Sequence, residues 1–205
     1  PLPYTNTDQF VIRDVDVETG AVSINMDLVA REVGQRFVIC GHNVKGWWSW
    51  SYSPVTNLLY IPITRSCLDQ TTNDRTVSGA SPRFTIPEPG FEESGHLTEV
   101  RAIDMATGRE AWRYSQRAPN MGSTLATAGN VVFFGDLNRR LWAFDAETGA
   151  VLWQTILGSQ ITGYPVTYAV AGRQYLTVAV GGVVARLAQY APELDAPRRR
   201  NRLVT

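Results

Sequence analysis

Residues 143–153 read Ala-Phe-Asp-Ala-Glu-Thr-Gly-Ala-Val-Leu-Trp, and this stretch decides the fold. It predicts a strand that ends at an aspartate, a tight turn, and a second strand that carries a tryptophan. The Asp145 carboxylate can accept hydrogen bonds from turn amides, and Gly149 can adopt the positive φ that such a turn requires. The stretch therefore predicts a β-hairpin with a tryptophan at a fixed distance from its turn.

The same pattern occurs 41 residues upstream, at residues 102–112, with Ala, Asp, Thr, Gly and Trp at matching positions. A weaker copy lies at residues 16–20, with Ile24 where the tryptophan should stand. The aspartate of this weak copy precedes that of the next by 88 residues, which is about two periods. We therefore expect an intermediate unit with a degenerate turn around residues 50–65.

A repeat of about 40 to 50 residues built from short strands is typical of a β-propeller, in which each unit is a four-stranded blade. A tryptophan at a fixed point on each blade can fill the wedge between neighbours and bury on the order of 200 Å². The alternative is an antiparallel sandwich with coincidentally similar turns. The five shared marker positions favour an all-β propeller, in which Trp112 and Trp153 are buried between blades.

The composition limits what the chain binds. It has 205 residues, of which 44% are hydrophobic and 19% charged, so it can bury a sizeable core. The formal net charge is zero, which removes the electrostatic argument for binding nucleic acid or an anionic membrane. No apolar run reaches the roughly 18 residues that a membrane span needs. The sequence begins at Pro1, with no initiator Met and no signal-peptide pattern. We therefore expect this start to result from processing, from proteolysis or from the choice of the expressed fragment.

Two segments depart from the repeat. Residues 71–96 begin with a polar run and continue with several prolines and glycines, which predicts a long loop insertion. Loops of that length in compact domains are usually functional or in contact with a partner. Residues 191–205 are predicted to form an irregular basic tail. We therefore expect a partial propeller of about four blades over residues 1–190.

Three tryptophans lie within four residues, at Trp47, Trp48 and Trp50. This is more aromatic surface than one strand face can bury, so part of it is expected to face a ligand or another chain. The alternative is that all three pack between blades.

The two cysteines, Cys40 and Cys67, match no zinc-binding spacing. They are either free core thiols or a disulfide that closes the segment between them. A disulfide would stabilise the fold by roughly 3 to 4 kcal/mol and would indicate an oxidising compartment.

Three stretches resemble a known family. They are residues 121–136 (Met-Gly-Ser-Thr-Leu-Ala-Thr-Ala-Gly-Asn-Val-Val-Phe-Phe-Gly-Asp), 141–145 (Leu-Trp-Ala-Phe-Asp) and 163–168 (Gly-Tyr-Pro-Val-Thr-Tyr). From about Asp14 to Val183 the chain resembles the carboxy-terminal half of pyrroloquinoline-quinone (PQQ) dependent alcohol dehydrogenases of the methanol and ethanol dehydrogenase type. That family builds eight-bladed propellers on this tryptophan repeat, so the resemblance implies about half of such a ring.

The resemblance implies a set of cofactor-binding positions. They are Lys45, Gly46, Trp47, Met121, Gly122, Gly181 and Gly182. Gly46 falls where the family commonly has an asparagine that touches the quinone, and Met121 falls on a tryptophan that lines the ring edge. Cys40 and Cys67 fall where the family has a disulfide, which favours the bonded alternative.

The groups with which that family does its chemistry lie mostly in its amino-terminal half. No segment here matches the general-base aspartate, the calcium or lanthanide ligands, or the arginine over the quinone carbonyls. We therefore assign no catalytic or metal-binding residue to this chain. Asp16, Asp104 and Asp145 are interpreted as turn residues, and His42 and His96 receive no role.

By resemblance, the chain is part of a periplasmic PQQ-dependent dehydrogenase that oxidises an alcohol by hydride transfer to the quinone. A calcium or lanthanide ion is then held mainly by the missing half, and a cytochrome c accepts the electrons. The tryptophan-rich rim suits a bulky or sugar-like alcohol. The alternative is a non-catalytic β-propeller that serves as a binding or scaffold protein and is built on the same repeat. Supplying the missing half and testing for PQQ binding distinguishes the dehydrogenase from the non-catalytic propeller.

A half ring also predicts a partner. It leaves two radial blade faces bare, and exposed apolar patches of that kind mark an interface. We therefore expect a complementary amino-terminal propeller chain.

Overall fold

The computed structural model describes residues 11–29, 31–40, 46–72, 83–181, 183–189 and 203–204. Within these ranges the chain is all-β apart from one 3-10 turn at Met26–Leu28. The strands are β1 (Ile12–Val15), β2 (Val22–Ile24), β3 (Arg36–Cys40), β4 (Ser51–Ser53), β5 (Leu58–Thr64), β6 (Ser66–Thr71), β7 (Arg83–Pro87), β8 (Thr98–Asp104), β9 (Glu110–Gln116), β10 (Thr124–Ala126), β11 (Val131–Gly135), β12 (Arg140–Asp145), β13 (Val151–Ile156), β14 (Val166–Val170), β15 (Arg173–Val180), β16 (Val183–Gln189) and β17 (Leu203–Val204).

Three four-stranded antiparallel sheets form the body of the described chain. The first blade has the strand order β4-β5-β8-β9, the second β10-β11-β12-β13, and the third β14-β15-β16-β17. The first hairpin consists of β1 and β2, and the side sheet consists of β3, β6 and β7. The predicted fold class, an all-β chain built of propeller blades, is confirmed. In the third blade β17 pairs with β16, so two residues of the predicted basic tail form an outer strand.

The aspartate turns have the predicted geometry in all three copies. In each, one carboxylate oxygen accepts hydrogen bonds from the backbone amides two and three positions later, at 2.7–3.1 Å. Each turn ends at a glycine with φ between 71° and 74°. The pairs are Asp16 with Gly20, Asp104 with Gly108, and Asp145 with Gly149. At Asp16, hydrogen bonding from the Thr19 side chain and then from the turn amides lowers the pKa of the exposed carboxyl.

The expectation of a separate unit at residues 50–65 is corrected by the strand pairing. The turn at residues 54–57 joins β4 to β5, and β5 pairs directly with β8. Residues 51–64 are therefore the first two strands of the blade that ends in the Asp104 turn. The 88 residues from Asp16 to Asp104 therefore hold β2, the side sheet and the first three strands of one blade, and no additional blade among the described residues.

The side sheet contains the disulfide. Cys40 and Cys67 face each other in the β3–β6 register and are bonded, which confirms the bonded alternative. Within the predicted insertion of residues 71–96, β7 pairs with β6 rather than leaving the whole segment as a loop. The Arg65 amide donates to the Leu97 carbonyl at 2.7 Å, which closes the base of this excursion between β5 and β8. The insertion is therefore fixed to the first blade at its base, and its strand β7 is held by β6, which pairs with β3 on its other edge.

Strand β8 alternates charged and apolar residues because its two faces pack against different neighbours. Val100 and Ala102 join the core between the first and second blades. Glu99 and Arg101 lie on the other face, where Glu99 is 1% exposed and is bonded by Arg101 at 2.6 and 2.8 Å. Arg65 lies 3.7 Å from Glu99, and it also pairs with Glu88 of the insertion at 3.2 Å. A buried ion-pair network thus ties the insertion to the blade.

Tryptophan docking between blades is observed at Trp112. Its indole N–H donates to the Ala146 carbonyl at 2.9 Å, and its ring packs on Gly149 of the next blade. The surrounding core includes Tyr60 and Phe144. The prediction that Trp153 is buried in the same way is wrong, since it is only partly buried against the core of the second and third blades. Trp112 docks on the segment between the third and fourth strands of the next blade. The equivalent segment for Trp153 is the one between β16 and β17, and it lies outside the described part of the chain.

Candidate functional site

Three segments lead into the first strands of the three blades, and they meet at one end of the molecule. They are residues 46–50 before β4, 121–123 before β10, and 163–165 before β14, and together they are named the blade mouth. Hydrogen bonds join them directly. The Ser49 amide donates to Ser123 Oγ at 2.7 Å, and the Ser123 amide donates to the Gly163 carbonyl at 3.4 Å. The Tyr164 hydroxyl donates to the Trp47 carbonyl at 3.3 Å, so every pair of segments is linked.

The three tryptophans of the first segment have different environments. Trp48 is 3% exposed and its indole N–H donates to the Pro62 carbonyl at 3.1 Å, so it anchors the segment to β5. Trp47 is 64% exposed and Trp50 is 43% exposed. The alternative in which all three pack between blades is therefore wrong. Trp47 stands edge-on to Trp48, with ring centroids 6.0 Å apart, and presents its outer face to solvent.

Two glycines of the mouth are required by packing within the chain. A Cβ on Gly46 would overlap the Trp48 ring, and a Cβ on Gly122 would overlap the carbonyl oxygen of Gly135 in β11. The close approach that Gly122 allows is thus made to the second blade's own backbone. Gly46 lets the first segment lie against the Trp48 ring, and Gly122 lets the second lie against β11, which sets the position of the neighbours Trp47 and Met121.

Asn120 directly precedes the second mouth segment, and the sequence analysis missed it. It is 3% exposed, and its Oδ1 accepts the Gly122 amide at 2.7 Å. Within the described residues its buried Nδ2 has no hydrogen-bond partner. A buried amide nitrogen without an acceptor is costly, so it marks a place where an external acceptor would be stabilising. Its only sequence signal is an asparagine two residues before a glycine, which is common in turns.

The remaining predicted positions are distributed as follows. Lys45 and Gly182 lie outside the described residues. Met121 is partly buried in the second segment. Gly181 follows β15, and its amide donates to the Gln160 carbonyl at 2.8 Å, beside the chain that leads into the third segment. Tyr164 was not among the predicted site positions, but its hydroxyl contacts Trp47 at the mouth.

The chemistry available at the mouth follows from its composition. Residues 46–50, 121–123 and 163–165 contain aromatic rings, glycines and serines, and no carboxylate or histidine. In the described part of the chain no group of three or more His, Cys, Asp or Glu residues could hold a metal ion. These three segments can therefore stack on a planar ligand and hydrogen-bond to it, whereas a general base has to come from elsewhere.

Comparisons with known proteins identify a related family. Residues 114–176 match the sequence profile of the "glucose/ethanol/alcohol dehydrogenase, beta-propeller domain" family, a PQQ family. This range covers the second blade and the mouth segments 121–123 and 163–165. The match therefore covers two of the three mouth segments, and the segment at residues 46–50 lies outside it.

Two curated relatives are similar over most of this chain. The 1-butanol dehydrogenase (cytochrome c) of Thauera butanivorans is 38% identical over 147 residues, which are 66% of this chain and 21% of that protein. The quinohemoprotein alcohol dehydrogenase of Comamonas testosteroni is 35% identical over 170 residues, which are 76% and 24%. The chain thus spans about a quarter of the length of the curated relatives it matches.

A solved structure shows the same fold. A europium-containing methanol dehydrogenase superposes with a TM-score of 0.66 at 23% identity, over 83% of this chain and 31% of that chain. The resemblance predicted from the sequence is confirmed by these three findings, and it covers part of the chain and part of each relative.

Proposed function

We propose that this chain, which is related to the quinoprotein alcohol dehydrogenases, forms one wall of the cofactor site in a PQQ-dependent enzyme that oxidises an alcohol. A complementary amino-terminal propeller chain would supply the general base and the ligands for a calcium or lanthanide ion. The observation that carries the proposal is the blade mouth. Three segments from successive blades are hydrogen-bonded together there, and two of them lie in the range that matches the PQQ family.

The mouth residues fit a planar, polyanionic heterocycle such as PQQ. Trp47 offers an exposed aromatic face for stacking, and Asn120 Nδ2 is a donor without an acceptor among the described residues. Met121 and Gly122 line the ring edge in this arrangement, with Lys45, Gly46, Gly181 and Gly182 as further contacts. When bound, PQQ accepts the hydride that leaves the alcohol carbon. The chain's own residues orient the ring and keep water from one of its faces.

The substrate class follows from the rim. Trp47, Trp50 and Tyr164 are all substantially exposed around the mouth. Flat aromatic faces of this kind pack well against bulky or sugar-like alcohols, so we propose such a substrate. A cytochrome c is the proposed electron acceptor, because the name of the Thauera relative includes one.

The proposed location is the periplasm. The Cys40–Cys67 disulfide supports it, because such bonds persist in oxidising compartments. None of the described residues forms a helix long and apolar enough to cross a membrane.

Titration with PQQ tests this function. The full chain is mixed with the amino-terminal part of a related quinoprotein and with calcium, and PQQ binding is followed by quenching of tryptophan fluorescence. Trp47→Ala should weaken PQQ binding about threefold to tenfold, because one stacking face is lost. Tyr52→Ala is the matched control, since Tyr52 is also substantially exposed, at 48%, and lies within β4 outside the mouth segments.

Dye reduction by the assembled mixture on addition of an alcohol is the second readout. Absence of PQQ binding by the mixture would overturn the proposal and would favour the non-catalytic propeller.

A further inference from the structure

We infer that Ser123 is a positioning residue that couples the three segments of the blade mouth and thereby fixes where Trp47 stands. The sequence resemblance assigns no role to this serine. The link to a quinone ligand rests on the proposed function, whereas the coupling itself rests on the contacts of the described residues alone.

The Ser123 hydroxyl joins the first and second blades. Its Oγ accepts the Ser49 amide at 2.7 Å, which is the short side of a normal N–H···O bond. Ser123 is 2% exposed, so water does not readily replace this acceptor. The neighbouring residue reinforces the contact, because the Thr124 amide donates to the Ser49 carbonyl at 3.2 Å. Ser49 is therefore held by residues 123 and 124 at both its amide and its carbonyl.

The backbone of Ser123 joins the second and third blades. Its amide donates to the Gly163 carbonyl at 3.4 Å, and the next residue, Tyr164, donates its hydroxyl to the Trp47 carbonyl at 3.3 Å. The three segments thus form a closed triangle of contacts, and Ser123 belongs to two of its three sides. A change at one side is expected to be felt at the others, because residues in one hydrogen-bond network are energetically coupled.

Trp47 depends on this triangle for its position. Its side chain is 64% exposed, so burial does not fix the ring. Its backbone is fixed instead by the anchored Trp48, by Ser49 through Ser123, and by Tyr164 through the Trp47 carbonyl. An aromatic face that is exposed and yet held from behind is preorganised for stacking, which reduces the ordering cost of binding.

Hydrogen–deuterium exchange of the full chain, without any cofactor, tests the coupling. Ser123→Ala removes the acceptor of the Ser49 amide, and exchange at that amide should become about twofold to tenfold faster. Tyr164→Phe removes one exposed hydroxyl at the opposite side of the triangle, and it should also speed exchange at Ser49, by about twofold. The effects of the two substitutions should not be additive on a logarithmic scale.

Ser53→Ala is the matched control. Ser53 is 4% exposed in the same blade, and its Oγ accepts the Thr56 amide at the far end of β4. It should leave exchange at Ser49 unchanged and be additive with Tyr164→Phe. Unchanged exchange at Ser49 in Ser123→Ala, or an equal change in Ser53→Ala, would overturn the inference. If Ser123→Ala does not fold, unchanged exchange at the Ser49 amide in Tyr164→Phe would also overturn the inference.

A second arm separates this inference from the proposed function. PQQ is added with calcium and the amino-terminal part of a related quinoprotein, and protection of Ser49 is measured again. Suppose that PQQ does not slow exchange at Ser49 in the wild type, while the substitutions change cofactor-free exchange at Ser49 as expected. That result would contradict the quinone role and leave the coupling in place. Protection in the wild type that is weakened about threefold in Ser123→Ala is the result expected if both hold.

Discussion

At the scale of single residues, Trp112 and Trp153 occupy equivalent sequence positions and different environments. Trp112 is 8% exposed and donates to the Ala146 carbonyl, whereas Trp153 is partly buried. We expect Trp112→Ala to lower the free energy of unfolding by about 3–5 kcal/mol, because it leaves a cavity and removes one of the two hydrogen bonds that the Ala146 carbonyl accepts. Trp153→Ala should cost clearly less, since part of its surface is already in water. Urea unfolding of both variants gives the two values, and equal losses would show that the difference in burial has no energetic consequence.

Two turn glycines provide a second comparison at this scale. Gly149 and Gly20 have nearly the same φ, 72° and 74°, so the backbone strain of an alanine should be similar, about 1–2 kcal/mol. A Cβ on Gly149 would lie 2.6 Å from the Trp112 ring, whereas one on Gly20 would meet open space. Gly149→Ala should therefore destabilise the chain measurably more than Gly20→Ala. Thermal unfolding of the matched pair isolates the cost of displacing the docked tryptophan, and identical melting temperatures would contradict the docking.

At the scale of elements, the strands of the second blade were predictable and the side sheet was not. Residues 131–135, 141–144 and 151–156 are short β-branched and aromatic runs between turn signals, and each lies in a strand. The pairing of β3 with β6 joins residues about 30 positions apart around two strands of another sheet. Local pattern carries no signal for such a long-range contact, so residues 50–65 were assigned to a separate unit. The cysteine pair was the one sequence feature that indicated the pairing of β3 with β6.

Ser123 and Asn120 were missed for a related reason. Ser123 contacts Ser49 only when successive blades are packed, and Asn120 is recognised by its burial in the folded chain, so neither has a local sequence signal. Trp47 was found because its neighbours Trp48 and Trp50 made the segment unusual in composition. Motifs that repeat along the chain are thus visible in the sequence, whereas contacts between repeats are not.

The ion-pair network provides a prediction about an element. Glu99 accepts hydrogen bonds from Arg101 and lies near Arg65 and Arg113 in a buried setting. Glu99→Gln removes the central negative charge, whereas Arg65 and Arg101 keep Glu88 and Glu110 as carboxylate partners, so it should destabilise by about 3 kcal/mol, the lower end for breaking a buried pair. Loss of this ion-pair network should also make the insertion between β6 and β8 more sensitive to limited proteolysis.

The control is Asp69→Asn, which breaks a more exposed ion pair with Arg36 in the side sheet. It should change stability little at neutral pH, because exposed pairs are screened by solvent. A Glu99→Gln protein as stable and as protease-resistant as Asp69→Asn would contradict the role of the network.

At the scale of the whole molecule, the described blades do not cover all of their apolar faces. In the third blade Val166, Tyr168 and Val170 lie on one face of β14, with exposures from 39% to 54%. All seven residues of β1 and β2 are exposed as well, although their hairpin has the same turn as the outer strands of two blades. In a closed propeller each such face packs against a neighbouring blade. These faces are the surfaces on which we propose that the complementary chain docks.

Association with that chain is measured most directly by analytical ultracentrifugation of the full chain with the amino-terminal part of a related quinoprotein. We expect a heterocomplex with a largely hydrophobic interface on the order of 2,000 Å² or more. Val166→Lys places a charge at the beginning of the exposed β14 face and should weaken association at least tenfold. Val55→Lys introduces the same charge at an exposed turn away from both faces and should have no effect. Because both substitutions are at exposed valines, neither should unfold the chain. Equal affinities of the two variants would show that β14 does not dock, and a chain that stays monomeric in the mixture would contradict the two-polypeptide ring itself.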